Sequence, residues 1–167
     1  MSEAVRTTTL KNTHRAIYLN TTPSEETAGF ERLGKGVNSF TPTNNPTIDT
    51  KHYIDASAPT HSVTAVEKQY AFAADRLKGD PCLDYIAEIE GKVGDAVRTE
   101  MVDVDMSAVS EPTDGYPAKK YEIVIAIDQP YSIEGGQNQQ MSGTFYTNGD
   151  PVEGKFKTAT KTFTPGA

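Results

Sequence analysis

Between Gln140 and Phe163 the chain reads QMSGTFYTNGDPVEGKFKTATKTF, and the first part of this segment alternates strictly. From Met141 to Tyr146, the odd positions hold Met, Gly and Phe, whereas the even positions hold Ser, Thr and Tyr. A repeat of two residues is the period of a β-strand, whose successive side chains point to opposite faces of a sheet. The segment therefore predicts a strand with one apolar and one polar face.

The residues that follow predict a hairpin. Asn148-Gly149 is the dipeptide that most readily takes positive φ at both central positions of a tight turn. Pro151 then removes a backbone donor where the chain starts back. We expect the returning strand at 152–158, with Gly154 at a bulge or at a close approach of the backbone, and a last short strand at 161–164. The C-terminal strands at 140–164 thus form a ribbon without any feature of a catalytic loop.

Composition favours β-structure with many turns. The chain has 167 residues, of which 36% are hydrophobic, with 13 Gly, 10 Pro and no Trp. Its length predicts a single domain over 1–167. A fold that settles fully only in an assembly would suit a chain with so little apolar surface, whose mean hydropathy is -0.54.

Charge and cysteine content exclude several classes of protein. A net charge of -7 disfavours simple nucleic-acid binding, which needs a basic surface to displace counterions. The single cysteine excludes an intramolecular disulfide framework. We see neither a signal peptide nor an apolar run long enough to cross a membrane, so we expect synthesis in a cytoplasm.

Other segments predict strands because they alternate or are rich in β-branched residues. The clearest is YEIVIAID at 121–128, and we expect its odd-numbered side chains in the core. The segment 62–73 also fits helical spacing, but Val63, Thr64 and Val66 favour a strand. The remaining candidates lie at 14–21, 30–40 (with a bend at Gly34 and Gly36), 47–54 and 96–106.

A projecting hairpin loop is predicted at 38–54. The residues TPTNNP at 41–46 are typical of a loop, and strand alternation resumes after them. We place the tip of this hairpin at 42–47, where no large apolar residue occurs. Such a tip would not fold back onto the core of its own chain. The N-terminal residues 1–13 are polar and rich in threonine, and predict a flexible arm.

One helix is predicted, at 80–91. Asp80 suits the N-cap, Pro81 the first helical position, and Gly91 the position just past the end. The apolar side chains between them fall on one broad arc, which predicts packing against a sheet. Cys82 lies on this arc, so we interpret it as a small core residue rather than a nucleophile.

Few residues could carry chemistry. Asp103 and Asp105 share one face of a predicted strand, as a calcium site or an acid–base pair would require. Met106 breaks the spacing of a calcium-binding loop, so we interpret the two acids more simply as part of a solvated strand face. The histidines at 14, 52 and 61 have no metal-ligand spacing. For the lysines at 155, 157 and 161, a charged edge that deters wrong strand pairing and a salt bridge to an acidic neighbour remain open alternatives.

Taken in order, several segments resemble the major tail protein (tail tube protein) of long-tailed, siphovirus-type bacteriophages. FERLGKGVNSFTPTNNPTIDTKHYID is similar to the family's first hairpin and projecting loop, and GDPCLDYIAEI to its short helix after a Gly/Asp-Pro step. MSGTFYTNGDPVEGKF and KTFT are similar to its closing hairpin. The resemblance spans roughly residues 16–164. The order and spacing of the motifs carry it, because each motif alone is weakly specific.

The resemblance implies a mainly β fold, with a two-sheet β-sandwich or barrel flanked by one short α-helix, a projecting hairpin loop and flexible terminal arms. It implies a structural virion protein of the phage tail, made in the cytoplasm of the host bacterium. Hexameric rings of this protein would stack into a tube whose channel conducts DNA from the capsid to the host cell, without specific binding. Its partners would be further copies of the chain, the tape measure protein, and tail terminator or distal tail proteins. No cofactor, metal, membrane or catalytic role is implied.

Two sets of residues carry predictions within this resemblance. We expect contacts between rings at the predicted hairpin tip, which consists of Pro42, Thr43, Asn44, Asn45, Pro46 and Thr47. We expect acidic residues to line the channel and repel phosphates, with Asp103 and Asp105 as the first candidates.

Two other functions remain open. The inner tube of a contractile phage-like particle would have the same fold. A β-sandwich module that binds carbohydrate or another ligand is less favoured, because such modules usually offer aromatic platforms, whereas this chain lacks Trp and its tyrosines are scattered. An enzyme is disfavoured, because neither a nucleophile elbow nor a phosphate-binding loop occurs.

Overall fold

Eight antiparallel strands and one helix make up the fold in the computed structural model, which describes residues 8–108 and 110–166. The strands are β1 (Arg15–Asn20), β2 (Phe30–Leu33), β3 (Val37–Lys51), β4 (Thr60–Asp75), β5 (Arg98–Asp105), β6 (Tyr116–Gln129), β7 (Gln140–Lys157) and β8 (Thr162–Pro165). The helix α1 spans Pro81–Glu88, and short 3-10 turns span Asn12–His14 and Gly94–Val97. The prediction of a mainly β fold with one helix is confirmed.

All eight strands belong to one hydrogen-bonded sheet, where we expected two. Its order is β2-β1-β5-β6-β7-β4-β3, and β8 pairs with β7 beside this path. The sheet curls over on itself, as a distance between β4 and β5 shows. In a flat sheet these strands would lie about 14 Å apart, because β6 and β7 stand between them. Instead, the Tyr70 hydroxyl is 3.1 Å from a carboxylate oxygen of Asp103.

The core consists of two clusters on opposite faces of the strands β1 and β5. The larger cluster fills the inside of the curl and includes Leu19, Met101, Ile123 and Phe145, all fully buried. The smaller cluster lies on the other face, where Phe156 of β7 packs against Tyr18 with ring centroids 4.3 Å apart. The strand β6 contributes to the larger cluster as its alternation predicts, except that Ile127 is only half-buried.

The helix α1 closes the inside of the curl. The Asp80 carboxylate accepts a hydrogen bond from the backbone N–H of Cys82, and Pro81 opens the first turn, as the sequence predicts. The helix ends at Glu88, and Gly91 follows with a φ of 77°. Cys82 is fully buried, and its thiol donates to the carbonyl of Glu31 on β2 over 3.2 Å. None of the helices in the described residues is long and apolar enough to cross a membrane.

The predicted hairpin turn at Asn148-Gly149 is wrong. The strand β7 continues through it for 18 residues and pairs with β6 on both sides. Glu122 of β6 pairs with Asn148 and Lys120 pairs with Val152, so Gly149 to Pro151 bulge out opposite a single residue. Gly149 does take positive φ, at 69°, but the turn-forming residues bend one strand here rather than reverse it. The lysine at 161 forms a salt bridge of 2.6 Å with Glu31, which supports one of the two alternatives left open for it.

Candidate functional site

The most prominent surface feature is a two-stranded ribbon formed by the outer parts of β3 and β4. We call residues 43–67 the projecting hairpin. Its strands pair from Thr43 to Lys51, and the chain turns at 52–59. Every residue of the projecting hairpin is exposed except Asp49, which is half-buried. At about 3.4 Å per residue the paired part reaches roughly 27 Å from the body.

The predicted position of the tip is wrong. Residues 42–47 lie inside the strand β3, where Pro42 pairs with Tyr70 and Thr47 with Ala65. The real turn carries Tyr53 and Ile54, which are 53% and 110% exposed, so the tip does hold large apolar residues. The loop predicted at 41–46 is likewise strand. A role for residues 42–47 in contacts between rings stays a prediction.

The two faces of the projecting hairpin differ in chemistry. Residues that pair directly across two strands point to the same face. Pro46 pairs with Val66, and Ile48 pairs with Val63. Ile48, Val63 and Val66 are 50%, 60% and 56% exposed. We call these four residues the apolar face, and the pairs Asn44–Lys68 and Thr50–His61 flank them on the same side of the ribbon. The opposite face carries the pairs Asn45–Glu67, Thr47–Ala65, Asp49–Ser62 and Lys51–Thr60.

The apolar face continues the inner face of the sheet. At the base of the hairpin, Phe40 stacks on Tyr70 with ring centroids 5.2 Å apart, and Phe72 is buried beside them. Phe40 has the same parity along β3 as Pro46 and Ile48. Tyr70 and Phe72 have the same parity along β4 as Val66, and the register shift at Thr64 keeps Val63 on this face. The face of β3 and β4 that packs on the core at the hairpin base therefore continues into the projecting hairpin, where no core residues cover it.

A polar cluster fixes the base of the projecting hairpin to the body. An Arg15 guanidinium nitrogen lies 2.7 Å from one carboxylate oxygen of Asp103, and Tyr70 donates to the other oxygen. Arg15 is on β1, Asp103 on β5 and Tyr70 on β4, so three strands meet at one carboxylate. The Lys68 ammonium lies 5.3 Å from the ring centroids of both Tyr70 and Tyr121, which adds cation–π attraction.

The electrostatics of this cluster favour its ionised pair. Burial, and then the negative charge of Asp103, raise the pKa of Tyr70, so this hydroxyl keeps its proton and donates. The hydrogen bond to Asp103 raises the pKa of Arg15. The cluster is therefore a charged hydrogen-bonded unit whose function is to hold strands together.

The two candidate acids differ in environment. Both lie on one face of β5 with Val104 opposite, as the alternation predicts. Asp103 is only 6% exposed, so the interpretation as a solvated strand face is wrong for this residue. Its charge has a long-range partner in Arg15, which spacing along the sequence could not reveal. Asp105 is half-buried, and hydrogen bonds from Ser107 lower its pKa. Their position relative to a channel stays a prediction.

The other candidates for chemistry lie apart. His52 and His61 are on the projecting hairpin, and His61 is hydrogen-bonded to Thr50 over 3.0 Å, whereas His14 ends the 3-10 turn before β1. Within residues 8–108 and 110–166, no three His, Cys, Asp or Glu side chains come together as a metal site would require. Burial, and then the nearby charges of Asp80 and Glu31, raise the pKa of Cys82 to about 12, so its thiol is not nucleophilic at neutral pH.

The sequence matches no protein-family model and no curated protein. Several solved structures have a similar fold, among them the following two. The first is a chain in the tail of an empty GTA particle, solved with C6 symmetry, at a TM-score of 0.59 and 15% identity; the match covers 86% of this chain and 97% of that chain. The second is a chain in the six-fold symmetrised baseplate of the anti-feeding prophage, at a TM-score of 0.53 and 8% identity, covering 90% of this chain and 98% of that chain. The chain therefore has a fold that occurs in subunits of phage-like tails.

Proposed function

We propose that this chain is a structural subunit of the tail tube of a bacteriophage or phage-like particle. In this proposal it forms hexameric rings that stack into a tube, and the channel conducts DNA. The proposal draws on the likeness of the fold to subunits of a GTA tail and of a prophage baseplate. The chain has no catalytic role and needs no cofactor in this assembly.

The observation that carries the proposal is the projecting hairpin. A two-stranded ribbon is at most marginally stable in water when it stands alone, because it buries little. Here 25 residues, from 43 to 67, leave the body and expose three large aliphatic side chains in a row on one face. Such a surface is typical of a subunit that folds fully only against neighbours.

We propose a different lining for the channel from the acidic one that the sequence suggested. Asp103 is buried and its charge is paired with Arg15, so it would contribute little repulsion. The outer face of β3, β4, β7 and β6 near the hairpin base carries only uncharged and mostly small side chains. We call it the outward face, and its residues are Ser39, Thr41, Thr43, Gln69, Ala71, Ala73, Val124, Ala126, Ser142, Thr144 and Tyr146. Arg98 of β5 pairs with Val124 at the border of this face and forms a salt bridge with Glu122, so the outward face offers DNA phosphates no free cation.

A contractile particle is an equally supported setting. The match to the chain from the anti-feeding prophage baseplate covers this chain as fully as the match to the chain from the GTA tail does. The fold therefore does not distinguish the inner tube of a contractile particle from a tube without a sheath. In a contractile particle the outer surface of the tube would contact a sheath. In either setting we expect a tape measure protein inside the tube, and terminator or distal tail proteins at its ends.

The test is electron microscopy of the purified protein over a range of concentrations, together with its mass in solution by sedimentation. We expect six-fold rings or hollow tubes at high concentration. A protein that stays monomeric at every concentration, and in the presence of its particle's own tail-tip complex, would refute the proposal. Binding to a glycan array would then be the next measurement, because it would support the carbohydrate-binding alternative.

A further inference from the structure

We propose that Asn148 is a site of spontaneous covalent modification, at which the side-chain amide is lost as ammonia and the residue becomes aspartate or isoaspartate. The attacking group is the backbone nitrogen of Gly149. This chemistry belongs to the chain itself and does not depend on the proposed function.

The reaction balances with water as its only co-reactant. The Gly149 nitrogen forms a bond to the side-chain carbonyl carbon of Asn148, the bond from that carbon to the amide nitrogen breaks, and ammonia leaves with the proton of the Gly149 N–H. The product is a five-membered succinimide ring. Water then opens the ring, with its hydroxyl on a carbonyl carbon and its proton on the nitrogen. Opening at the side-chain carbon gives aspartate, and opening at the main-chain carbon gives isoaspartate, whose backbone is one methylene longer.

Glycine is the following residue that best permits this ring to close. It has no Cβ, so its nitrogen can approach the side chain before it without a steric clash. Asn148-Gly149 is the only Asn-Gly pair in the sequence. Gly149 is exposed and already has a φ of 69°, and apart from its chain neighbours no described atom lies within 4 Å of the place that a Cβ would take. The folded protein therefore has space for the rotation that closes the ring.

The bulge in β7 releases this pair from the sheet. A residue inside a ladder keeps an extended backbone, which holds the next nitrogen away from its side-chain carbonyl. Asn148 is the last residue paired before the bulge, opposite Glu122, and pairing resumes only between Val152 and Lys120. The rotation that brings the Gly149 nitrogen to the side chain therefore displaces residues that have no pairing partner in β6.

The side chain of Asn148 is also free to turn. It is exposed, and it forms no hydrogen bond with any other part of the chain that the structure describes. Two other asparagines are held in place, because the amides of Asn38 and Asn138 donate to the carboxylate of Asp75 over 3.2 and 3.4 Å. Neither of these two precedes a glycine. We therefore expect them to react far more slowly than Asn148.

The pair Asp114-Gly115 provides an internal contrast. An aspartate can close the same ring with loss of water, and opening of that ring also yields isoaspartate. Here, however, Gly115 is buried, its N–H donates to the carbonyl of Pro112 over 2.9 Å, and the backbone of Phe156 occupies the space around it. The attacking nitrogen is held in a hydrogen bond. We therefore expect isoaspartate at position 148 and not at position 114.

The new carboxylate would lie opposite another acid. Asn148 pairs directly with Glu122, so the two side chains point to the same face, and this pair continues the outward face beyond Val124 and Tyr146. Like charges directly opposite each other destabilise a pair of strands. Arg98 relieves only part of this repulsion, because its guanidinium is already 3.3 Å from Glu122 and half exposed. Conversion should therefore loosen the pairing of β6 with β7.

Peptide mapping by mass spectrometry tests the site in the whole chain. Purified protein is kept at mildly alkaline pH, both folded and unfolded in urea. Deamidation adds one mass unit to the peptide, and an isoaspartate methyltransferase labels the isoaspartate product. In folded protein we expect Asn148 to convert at least about tenfold faster than Asn38 or Asn138, and at a rate within about tenfold of that in urea. Conversion no faster than that of Asn38, conversion more than about tenfold slower than in urea, or equal labelling at Asp114 would overturn the inference.

Two variants identify the attacking nitrogen and the consequence of the charge. Gly149→Ala retains the asparagine but crowds the nitrogen, so conversion should slow at least about tenfold, with circular dichroism as the check on folding. An unchanged rate would contradict attack by this nitrogen. Asn148→Asp reproduces one product, and we expect it to raise the unfolding equilibrium constant about twofold to fivefold. The same change in a Glu122→Gln background should have a smaller effect, and an equal effect in both backgrounds would refute the proposed repulsion.

Discussion

Asp103→Asn should destabilise the monomer by disrupting the cluster at the base of the projecting hairpin. The carboxylate is 6% exposed and accepts hydrogen bonds from Arg15 and from Tyr70, which is 1% exposed. Asparagine has the same shape and can still accept from Tyr70. The NH₂ group of the asparagine then faces the guanidinium of Arg15, so two donors oppose each other. The attraction between the carboxylate and the guanidinium is also lost. A charge-assisted hydrogen bond contributes about 1.5–3 kcal/mol in a buried site.

The contribution of this hydrogen bond is smaller than in a fully buried site, because the Arg15 side chain is 57% exposed and water screens its charge. We therefore expect a loss of about 1–2 kcal/mol in the free energy of unfolding. For a chain of this length this corresponds to a fall of about 2–8 °C in the melting temperature. Tyr70→Phe should cost a similar amount, because it removes one donor from a buried carboxylate. The double variant should lose less than the sum of the two, by roughly 0.5–1.5 kcal/mol, because Asp103→Asn already weakens, by removing the charge of the acceptor, the hydrogen bond that Tyr70→Phe removes.

Urea unfolding followed by circular dichroism measures these differences, at a concentration where sedimentation shows a monomer. Asp105→Asn is the matched control on the same face of β5. Its side chain bonds locally to Ser107 and is half-buried, so we expect it to cost about 0.5 kcal/mol or less. The reasoning is refuted if Asp103→Asn costs no more than Asp105→Asn, or if the effects of Asp103→Asn and Tyr70→Phe add fully.

Three further predictions follow from single sites. Gly143→Ala should cost about 1–3 kcal/mol in urea unfolding, because its Cβ would collide with the backbone of β6, whereas Gly135→Ala in an open loop should cost far less. The free energy of unfolding should fall as pH rises above about 9, because the thiol of Cys82 ionises in the unfolded chain but keeps its proton in the folded protein. It should fall more steeply above about 10, where the Tyr70 hydroxyl likewise ionises only in the unfolded chain. Each group contributes up to about 1.4 kcal/mol per pH unit, and Cys82→Ala should remove the fall that begins at about pH 9. Thr144→Lys, on the outward face, should leave tube length unchanged and slow DNA release from particles, measured by nuclease sensitivity; an unchanged rate would contradict the proposed lining.

Local patterns predicted the parts of the fold whose physics is local. The alternation in β6 identified the buried Tyr121 and Ile123, because a strand against a core must show a period of two. The helix α1 was predicted from Asp80 and Pro81, because capping depends on residues adjacent in the chain. The buried ion pair was not predictable in this way. Arg15 and Asp103 are 88 residues apart, and the pairing of β1 with β5 brings them together, whereas the curl of the sheet adds Tyr70.

The two wrong turns have a common physical origin. Asn148-Gly149-Asp150-Pro151 and TPTNNP at 41–46 are rich in turn-forming residues, yet both lie within long strands. In β7 these residues form a bulge, which uses the positive φ of Gly149 to bend the strand without ending it. In β3 the prolines lie on an edge strand that leaves the body, where no core demands alternating apolar residues. Composition alone cannot distinguish such a strand from a loop.

The same prolines that conceal the strand β3 also determine how it can bind. An edge strand that projects about 27 Å into solvent would be an aggregation site if its donors were free. Pro42 and Pro46 remove donors from that edge, and the bulge at Thr64 disturbs the other. The hairpin then offers a partner its side chains, among them the exposed Ile48, Val63 and Val66 of the apolar face. Side-chain packing requires a complementary partner surface, whereas strand addition accepts almost any exposed edge. A subunit that is made in many copies must not join at the wrong surface. Side-chain packing on a complementary surface favours correct assembly, whereas an edge open to strand addition would favour aggregation.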